Sequence, residues 1–249
     1  MSRIALITGS TSGIGKATAE AFAKSGIDLI LCGRRQERLN ELSNALSTVK
    51  TTTLQFDVRD REAVMEAIGS LPAEWQNIDI LVNNAGNAHG FDPIDTGSTD
   101  DWDAMINSNV TGLLYVSKAV IPGMVARGKG HIVNISSIAG KETYANGTVY
   151  CASKSAVEAL SKGMRLDLIQ HGIKVTNIAP GAVETEFSVV RFKGDEARAD
   201  KVYAGFEPLK AEDIADSIVY AVNAPAHVTI ADVTILAGAQ AAATTVHRK

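Results

Sequence analysis

Only two of the 249 residues are cysteine, Cys32 and Cys151, and neither sits in a CxxC pair. That is too few for a disulfide framework and is the usage of a chain kept in a reducing compartment. The five histidines, His89, His131, His171, His227 and His247, are scattered without HExxH or comparable spacing, so no metal site is expected. Aromatic residues make up 5% of the chain, and the 6 prolines form no cluster that would mark a linker. A core this poor in rings has to be built from Val, Ile, Leu and Ala, which suits parallel strands buried on both faces. No apolar run reaches the ~18 residues of a membrane span. The first apolar run, residues 4–7, falls short of the ~7–15 residues of a secretory signal and reads as the first strand of a mature domain. A net charge of −4 and a pI near 5.8 exclude the basic face of a nucleic-acid binder, so cations for any anionic ligand must be placed locally. The expected setting is the cytoplasm, without nucleic acid or membrane.

What is present is 45% hydrophobic residues, 21% charged residues and 21 glycines, the make-up of one folded domain over residues 1–249. Short apolar runs closing on turn residues recur at 4–8, 28–33, 51–58, 78–84, 131–136, 173–179 and 233–237. Stretches with helical spacing lie between them, including 110–125, 149–169 and 214–222. Strand and helix in alternation predict an α/β fold: a doubly wound, Rossmann-type parallel sheet of about seven strands with helices on both faces. Residues 182–207 break the rhythm, and a structureless stretch of that length is expected to be a substrate lid. The Ala-rich end, 241–249, is expected to pack as a tail or bridge subunits.

The first strand runs into Thr8-Gly9-Ser10-Thr11-Ser12-Gly13-Ile14-Gly15, followed by a helix. Glycines at such a turn let a pyrophosphate approach the backbone, and the helix N-terminus offers it free N–H groups and partial positive charge. The spacing is GxxxGxG rather than the GxGxxG of the standard dinucleotide fingerprint. About 20 residues further on, where NAD binders carry an acid for the ribose 2′-hydroxyl, this chain has Arg34-Arg35. A guanidinium fork suits a 2′-phosphate, so the cofactor read from these residues is NADP. Asp57-Val58 and Asn84-Ala85-Gly86 close the third and fourth runs on the side where open α/β sheets bind ligands. Asp57 is placed to accept from an adenine amino group, and Asn84 with Gly86 to line the adenosine ribose.

Ser136-Ser137 stand at the end of the fifth strand, and Tyr150 and Lys154 follow at i and i+4 on one helical face. A phenol with pKa near 10 is a poor base at neutral pH, but a neighbouring ammonium and an oxidised nicotinamide both favour its ionised form. Lys154 is therefore expected to lower the pKa of Tyr150, with Ser137 holding the reacting oxygen against it.

Together the glycine loop, Asn83–Gly86, Asn109, Ser137, Tyr150, Lys154 and Pro180-Gly181 resemble the short-chain dehydrogenase/reductase family over essentially the whole chain. The resemblance implies a catalytic set of Asn109, Ser137, Tyr150 and Lys154, with Tyr150 as general acid/base. Tyr150 and Lys154 would also bind the cofactor, Lys154 at the nicotinamide ribose, and Asn109 would hold a water behind Lys154. Pro180, Gly181, Val183 and Thr185 would contact the nicotinamide carboxamide and the phosphates. It also implies a homotetramer built through the helices at 110–125 and 149–169.

Further strings, Leu71-Pro72-Ala73-Glu74-Trp75, Thr185-Glu186-Phe187-Ser188, Val190-Arg191-Phe192-Lys193-Gly194-Asp195 and Pro225-Ala226-His227-Val228, are similar to the NADP-dependent 3-hydroxy acid dehydrogenases. That subgroup acts on serine, L-allo-threonine and 3-hydroxypropionate-type acids and reduces malonic semialdehyde. Such a substrate needs a cation near its carboxylate, some distance from the carbon that gives up hydride. Arg191 is the first candidate; Lys193 and Lys141 are the others. Cys151, next to Tyr150, reads as a buried inert thiol. The alternatives are a broad carbonyl or 3-ketoacyl reductase and, in another class, a non-catalytic NADP-sensing protein.

Overall fold

The computed structural model of the chain describes residues 2–249. Among the described residues seven parallel strands form one sheet: β1 Ile4–Thr8, β2 Asp28–Gly33, β3 Thr51–Gln55, β4 Ile80–Asn83, β5 Gly130–Ile135, β6 Ile173–Pro180 and β7 Asp232–Ile235. The spatial order is β3-β2-β1-β4-β5-β6-β7, so the chain reverses direction across the sheet between β1 and β4. Open α/β sheets bind ligands at that reversal, beyond the carboxyl ends of the strands.

The inner strands are apolar on both faces because both faces are covered. Ala5, Ile7, Leu29, Leu31, Val82 and Ile178 pack against Ala19 and Phe22 of α1 (Gly13–Lys24) and Ile214 and Ile218 of α9 (Ala211–Val222). Their neighbours Leu6, Ile30, Leu81, Ile132 and Val175 point the other way. They meet Val64 and Ile68 of α3 (Arg61–Gly69) and Val116, Val120 and Met124 of α5 (Leu113–Arg127). The two-residue alternation of a strand thus builds two cores from one run of apolar residues.

Helix α2 (Gln36–Ala45) follows β2, and α4 (Thr99–Ile106) runs into α5 through a wider, π-type turn at Asn107–Gly112. The continuous helix Thr99–Arg127 is long enough to cross a membrane. In this fold Val116, Val120 and Met124 on it are buried against the sheet, while Ile106 and Leu114 are exposed. Helix α6 (Thr148–Leu168) packs beside it.

The stretch 182–207, expected to be irregular, contains two short helices, α7 (Glu186–Arg191) and α8 (Glu196–Tyr203). Their six and eight residues are too short for a helical period to show, and only their N-caps signal them. Thr185 accepts from the Phe187 amide and Asp195 from the Arg198 amide. The strand expected at 51–58 ends at Gln55, leaving Asp57 and Val58 in the turn beyond it.

Across β4 to β7 four polar residues lie side by side in register: Asn83 and Asn134 at or next to the carboxyl ends of β4 and β5, Asn177 within β6 and Asp232 at the start of β7. Asn83 donates to Asn134, Asn134 to Ser161 on α6, and Asn177 to both Asp232 and the buried Glu158. Lys141 closes the row on Glu158 at 3.1 Å and Asp232 at 2.7 Å.

Candidate active site

A cleft of about 790 Å³ lies across the carboxyl ends of the strands. Of the residues expected to bind ligands, Gly9, Thr11, Ser12, Gly13, Ile14, Arg34, Arg35, Asp57, Val58, Asn84, Ala85 and Gly86 line it. So do Ser137, Tyr150, Lys154, Pro180, Gly181, Val183, Thr185 and Arg191. Ser10, Gly15 and Asn109 stand behind that wall.

Ser10 is fully buried, with its amide and hydroxyl both donating to the Cys32 carbonyl, so it braces the loop instead of facing a ligand. Gly15 supports the loop from below: a Cβ there would lie 2.4 Å from the Gly9 carbonyl and 2.5 Å from Asn84 Nδ2. Asn84 Nδ2 donates to the carbonyls of Thr8 and Gly9, tying the end of β4 to the loop after β1. The first turn of α1 has no acidic residue and no side-chain cap, which leaves its amides open to an anion. The loop therefore fits a pyrophosphate.

Arg34 and Arg35 stand at the end of β2, but neither is alone. Arg35 donates to Thr11 Oγ1 at 2.9 Å and to Ser12 Oγ at 3.3 Å, and Arg34 lies 3.9 Å from Asp57. The Asp57 carboxylate, expected to be open for an adenine, is instead gripped by Arg59, whose Nε reaches both oxygens at 3.0 Å and Nη2 one at 2.7 Å. Partial burial pushes its pKa up, but the Arg59 hydrogen bonds and the charges of Arg59 and Arg34 outweigh it and hold the carboxyl below its ordinary range. Arg59 escaped the sequence reading although it lies two residues from Asp57; Arg38, one turn into α2, escaped it as well.

Further along the cleft, Ser137 accepts from the Ala139 amide and donates to the Pro180 carbonyl at 3.4 Å, which ties it to the end of β6. Gly181 follows that carbonyl, and any side chain there would strike Gln240. Tyr150 packs its ring against Phe187, 5.8 Å between centres. Lys154, also buried, donates through Nζ to the Ile135 carbonyl at 2.9 Å.

The expected electrostatics are reversed here. Burial raises the Tyr150 pKa, Tyr144 adds to the rise, and the lowering by Ser137 and Arg191 does not offset them. Burial also lowers Lys154 to about 8. The ammonium faces a main-chain carbonyl, and desolvation governs both groups. Tyr150 is accordingly held as the neutral phenol, the form that donates a proton.

Asn109 lies in the wide turn between α4 and α5, behind Lys154 and Gly86. Its side chain is spent on protein partners: Nδ2 on the Asn87 carbonyl and Ser153, Oδ1 on the Asn87 amide and Ser108. A π-type turn inside a long helix is frequent at functional sites.

Arg191 is the one candidate cation that reaches the catalytic residues. Its guanidinium carbon lies 4.8 Å from the centre of the Phe91 ring, 5.5 Å from Tyr150 and 5.8 Å from Tyr144. Nε donates to the Gly90 carbonyl and Nη1 to Tyr144, each at 3.3 Å, while Nη2 is buried with no partner among the described residues. The other two candidates are committed elsewhere, Lys193 to Asp101 at 2.9 Å and Lys141 to Glu158 and Asp232. Phe91 and Tyr144 were missed as site residues; in a chain so poor in aromatics, rings in loops were the available signal. Cys151 is buried, and its thiol points to the Glu142 carbonyl.

Residues 3–196 match the family described as short chain dehydrogenase. The chain belongs to that family. An NADP-dependent 3-hydroxy acid dehydrogenase of Escherichia coli is 46% identical over 248 residues, 99% of this dehydrogenase and 100% of its relative. Sulfoacetaldehyde reductase 2 of Chromohalobacter salexigens is 44% identical over 243 residues, 97% and 96% of the two chains. Among solved structures, the closed form of a serine dehydrogenase complexed with NADP+ superposes with a TM-score of 0.93 at 46% identity, covering 99% of this chain and 100% of that one.

Proposed function

We propose that this dehydrogenase uses NADP(H) to interconvert the C3 hydroxyl and carbonyl of small 3-hydroxy acids, of the serine, L-allo-threonine and 3-hydroxypropionate type. The observation that carries the reading is Arg191. A half-buried arginine whose Nη2 is buried and unpartnered among the described residues, its guanidinium held over the Tyr150 ring, is the group a substrate carboxylate needs near the reacting carbon.

The cofactor reading rests on the glycine loop, the uncapped α1 and the cations at the end of β2. The loop amides would hold the pyrophosphate, Arg34 and Arg35 the 2′-phosphate, and Pro180, Gly181, Val183 and Thr185 the nicotinamide end. When bound, the nicotinamide accepts or supplies the hydride. The protein handles the proton. In reduction the neutral Tyr150 phenol protonates the oxygen that develops charge, and Ser137 donates to the same oxygen. In oxidation Tyr150 must ionise to take the hydroxyl proton, which the positive ring of an oxidised cofactor favours. Lys154, with a pKa near 8, is poised to exchange that proton onward, and Asn109 fixes the turn behind it.

In this reading the segment 182–207 is the substrate lid, since α7 carries Arg191. The protein is a cytoplasmic homotetramer in this reading; the assembly is supported by exposed Ile106, Leu114 and Leu166 on the long helices and Ile169 just past α6.

The test is initial NADPH formation from NADP with L-serine, D-serine, L-allo-threonine, 3-hydroxypropionate, 3-hydroxyisobutyrate and 2-butanol. Rates confined to the acids support the clamp. Activity on 2-butanol alone, or on none of the six, overturns the substrate class and leaves the family untouched.

A further inference from the structure

Glu186 opens α7 and sets its carboxylate among the arginines at the start of α2. Its two oxygens lie 3.0 and 3.2 Å from Arg38 Nη1, and Oε2 lies 3.5 Å from Arg35 Nη1. Arg35 is the same residue whose Nη2 reaches Thr11 and Ser12 of the glycine loop. One guanidinium therefore touches the loop, the α7 carboxylate and the place assigned above to the 2′-phosphate. The Glu186 side chain is 54% exposed and both it and Arg35 line the cleft, so the pair is open to solvent there.

We propose that Glu186 is a resident competitor for the 2′-phosphate. This rests on the reading that Arg34 and Arg35 hold that group. The carboxylate takes Arg35 and Arg38 in the free enzyme, yields Arg35 when the phosphate arrives, and takes it back as the cofactor leaves. Two anions on one guanidinium repel each other. A phosphate with three strong acceptor oxygens and close to two charges prevails over a single carboxylate. The penalty falls on NADP(H) alone, because NAD(H) presents an uncharged hydroxyl at that position. Glu186 thus loosens the enzyme's hold on its preferred cofactor and favours release, a step that limits many enzymes.

The test uses Glu186→Gln, which keeps the side-chain length and removes the charge. Dissociation constants of the full chain are measured for NADPH, NADH and adenosine 2′,5′-bisphosphate. NADPH and the bisphosphate are expected to tighten by about three- to fivefold, the scale of one exposed ion pair, with NADH unchanged. Unchanged or weakened NADPH binding overturns the proposal and makes Glu186 a buttress of the arginines. Arg35→Ala, measured in parallel, separates the two layers. If it weakens NADPH no more than NADH, the phosphate site itself is misplaced. If it weakens NADPH selectively while Glu186→Gln does not tighten it, only the competitor role falls.

Discussion

The guanidinium carbon of Arg191 stands 5.5 Å from the centre of the Tyr150 ring, so the cation and the proton donor share one wall of the cleft. Replacing Arg191 by Met keeps much of the apolar stem over Phe91 and removes the charge. A charge-assisted hydrogen bond contributes about 1.5–3 kcal/mol, so kcat/KM for carboxylate substrates is expected to fall roughly ten- to a hundredfold. Activity on an uncharged ketone with NADPH should change little. Equal losses on both substrate types would remove Arg191 from the clamp.

Most of this site could be read from the sequence because its residues are local signals. The glycine loop, the arginine pair after β2 and the Tyr150–Lys154 spacing each sit within a few residues of a strand end, where the fold forces them into one cleft. What escaped depends on the chain meeting itself at long range. Arg59 folding back on Asp57, Glu186 reaching Arg38 across 148 residues, and Phe91 with Tyr144 flanking Arg191 leave no periodic trace. The inverted pKa pattern was hidden for a similar reason. The i, i+4 spacing places Lys154 near Tyr150, but only the packed structure shows Nζ turned to Ile135 and both groups desolvated.

Lys154 carries a charge that burial disfavours, and this yields a stability prediction separate from its catalytic one. Its folded pKa, about 8, lies below the ordinary 10.5, so between those values the unfolded chain binds more protons and stability from this group rises with pH. The full penalty, on the order of 3 kcal/mol, is present below pH 8. Lys154→Met should therefore be inactive yet unfold at higher denaturant than the wild type at pH 7, with the advantage shrinking towards pH 10. A variant less stable than wild type at pH 7 would show that the hydrogen bond to Ile135 outweighs the burial of charge.

His131 gives the opposite end of the pH scale. It is buried on β5 with Nε2 2.8 Å from Thr176 Oγ1, and burial lowers its pKa from 6.5 to about 4, with Lys174 and Arg3 adding to the shift. The folded protein resists protonating it, so its contribution is intact above pH 6.5 and is lost as pH falls towards 4. That loss is on the order of 3 kcal/mol. His131→Asn should start less stable at pH 7 and show a flatter decline between pH 6.5 and 4 in urea titrations. A parallel decline in both proteins would assign the acid sensitivity to other groups.

Tyr150 supplies the proton in this reading, and Tyr150→Phe tests it with almost no change in volume. Loss of a positioned general acid is expected to lower kcat about a hundred- to ten-thousandfold. NADPH affinity should stay within a few-fold, because the phosphate and ribose contacts lie on other residues. Near-normal turnover in Tyr150→Phe would end the mechanism.

Lys141 anchors the polar row that crosses β4 to β7, pairing with Glu158 at 3.1 Å and Asp232 at 2.7 Å. Glu158 is buried, with a side chain only 8% exposed, and its other oxygen accepts from Asn177. Lys141→Met removes the cation and leaves that carboxylate inside the protein without a counter-charge. Complete burial of such a pair would put the loss at 3–5 kcal/mol; with Lys141 29% exposed, about 2 kcal/mol is the better expectation. Adding Glu158→Gln should recover part of it, since a neutral amide can still meet Asn177 without needing an ammonium. Equilibrium unfolding of the two single variants and the double variant gives the coupling between the groups. Additive losses would mean that each residue acts through its own packing and that the ion pair contributes nothing to stability.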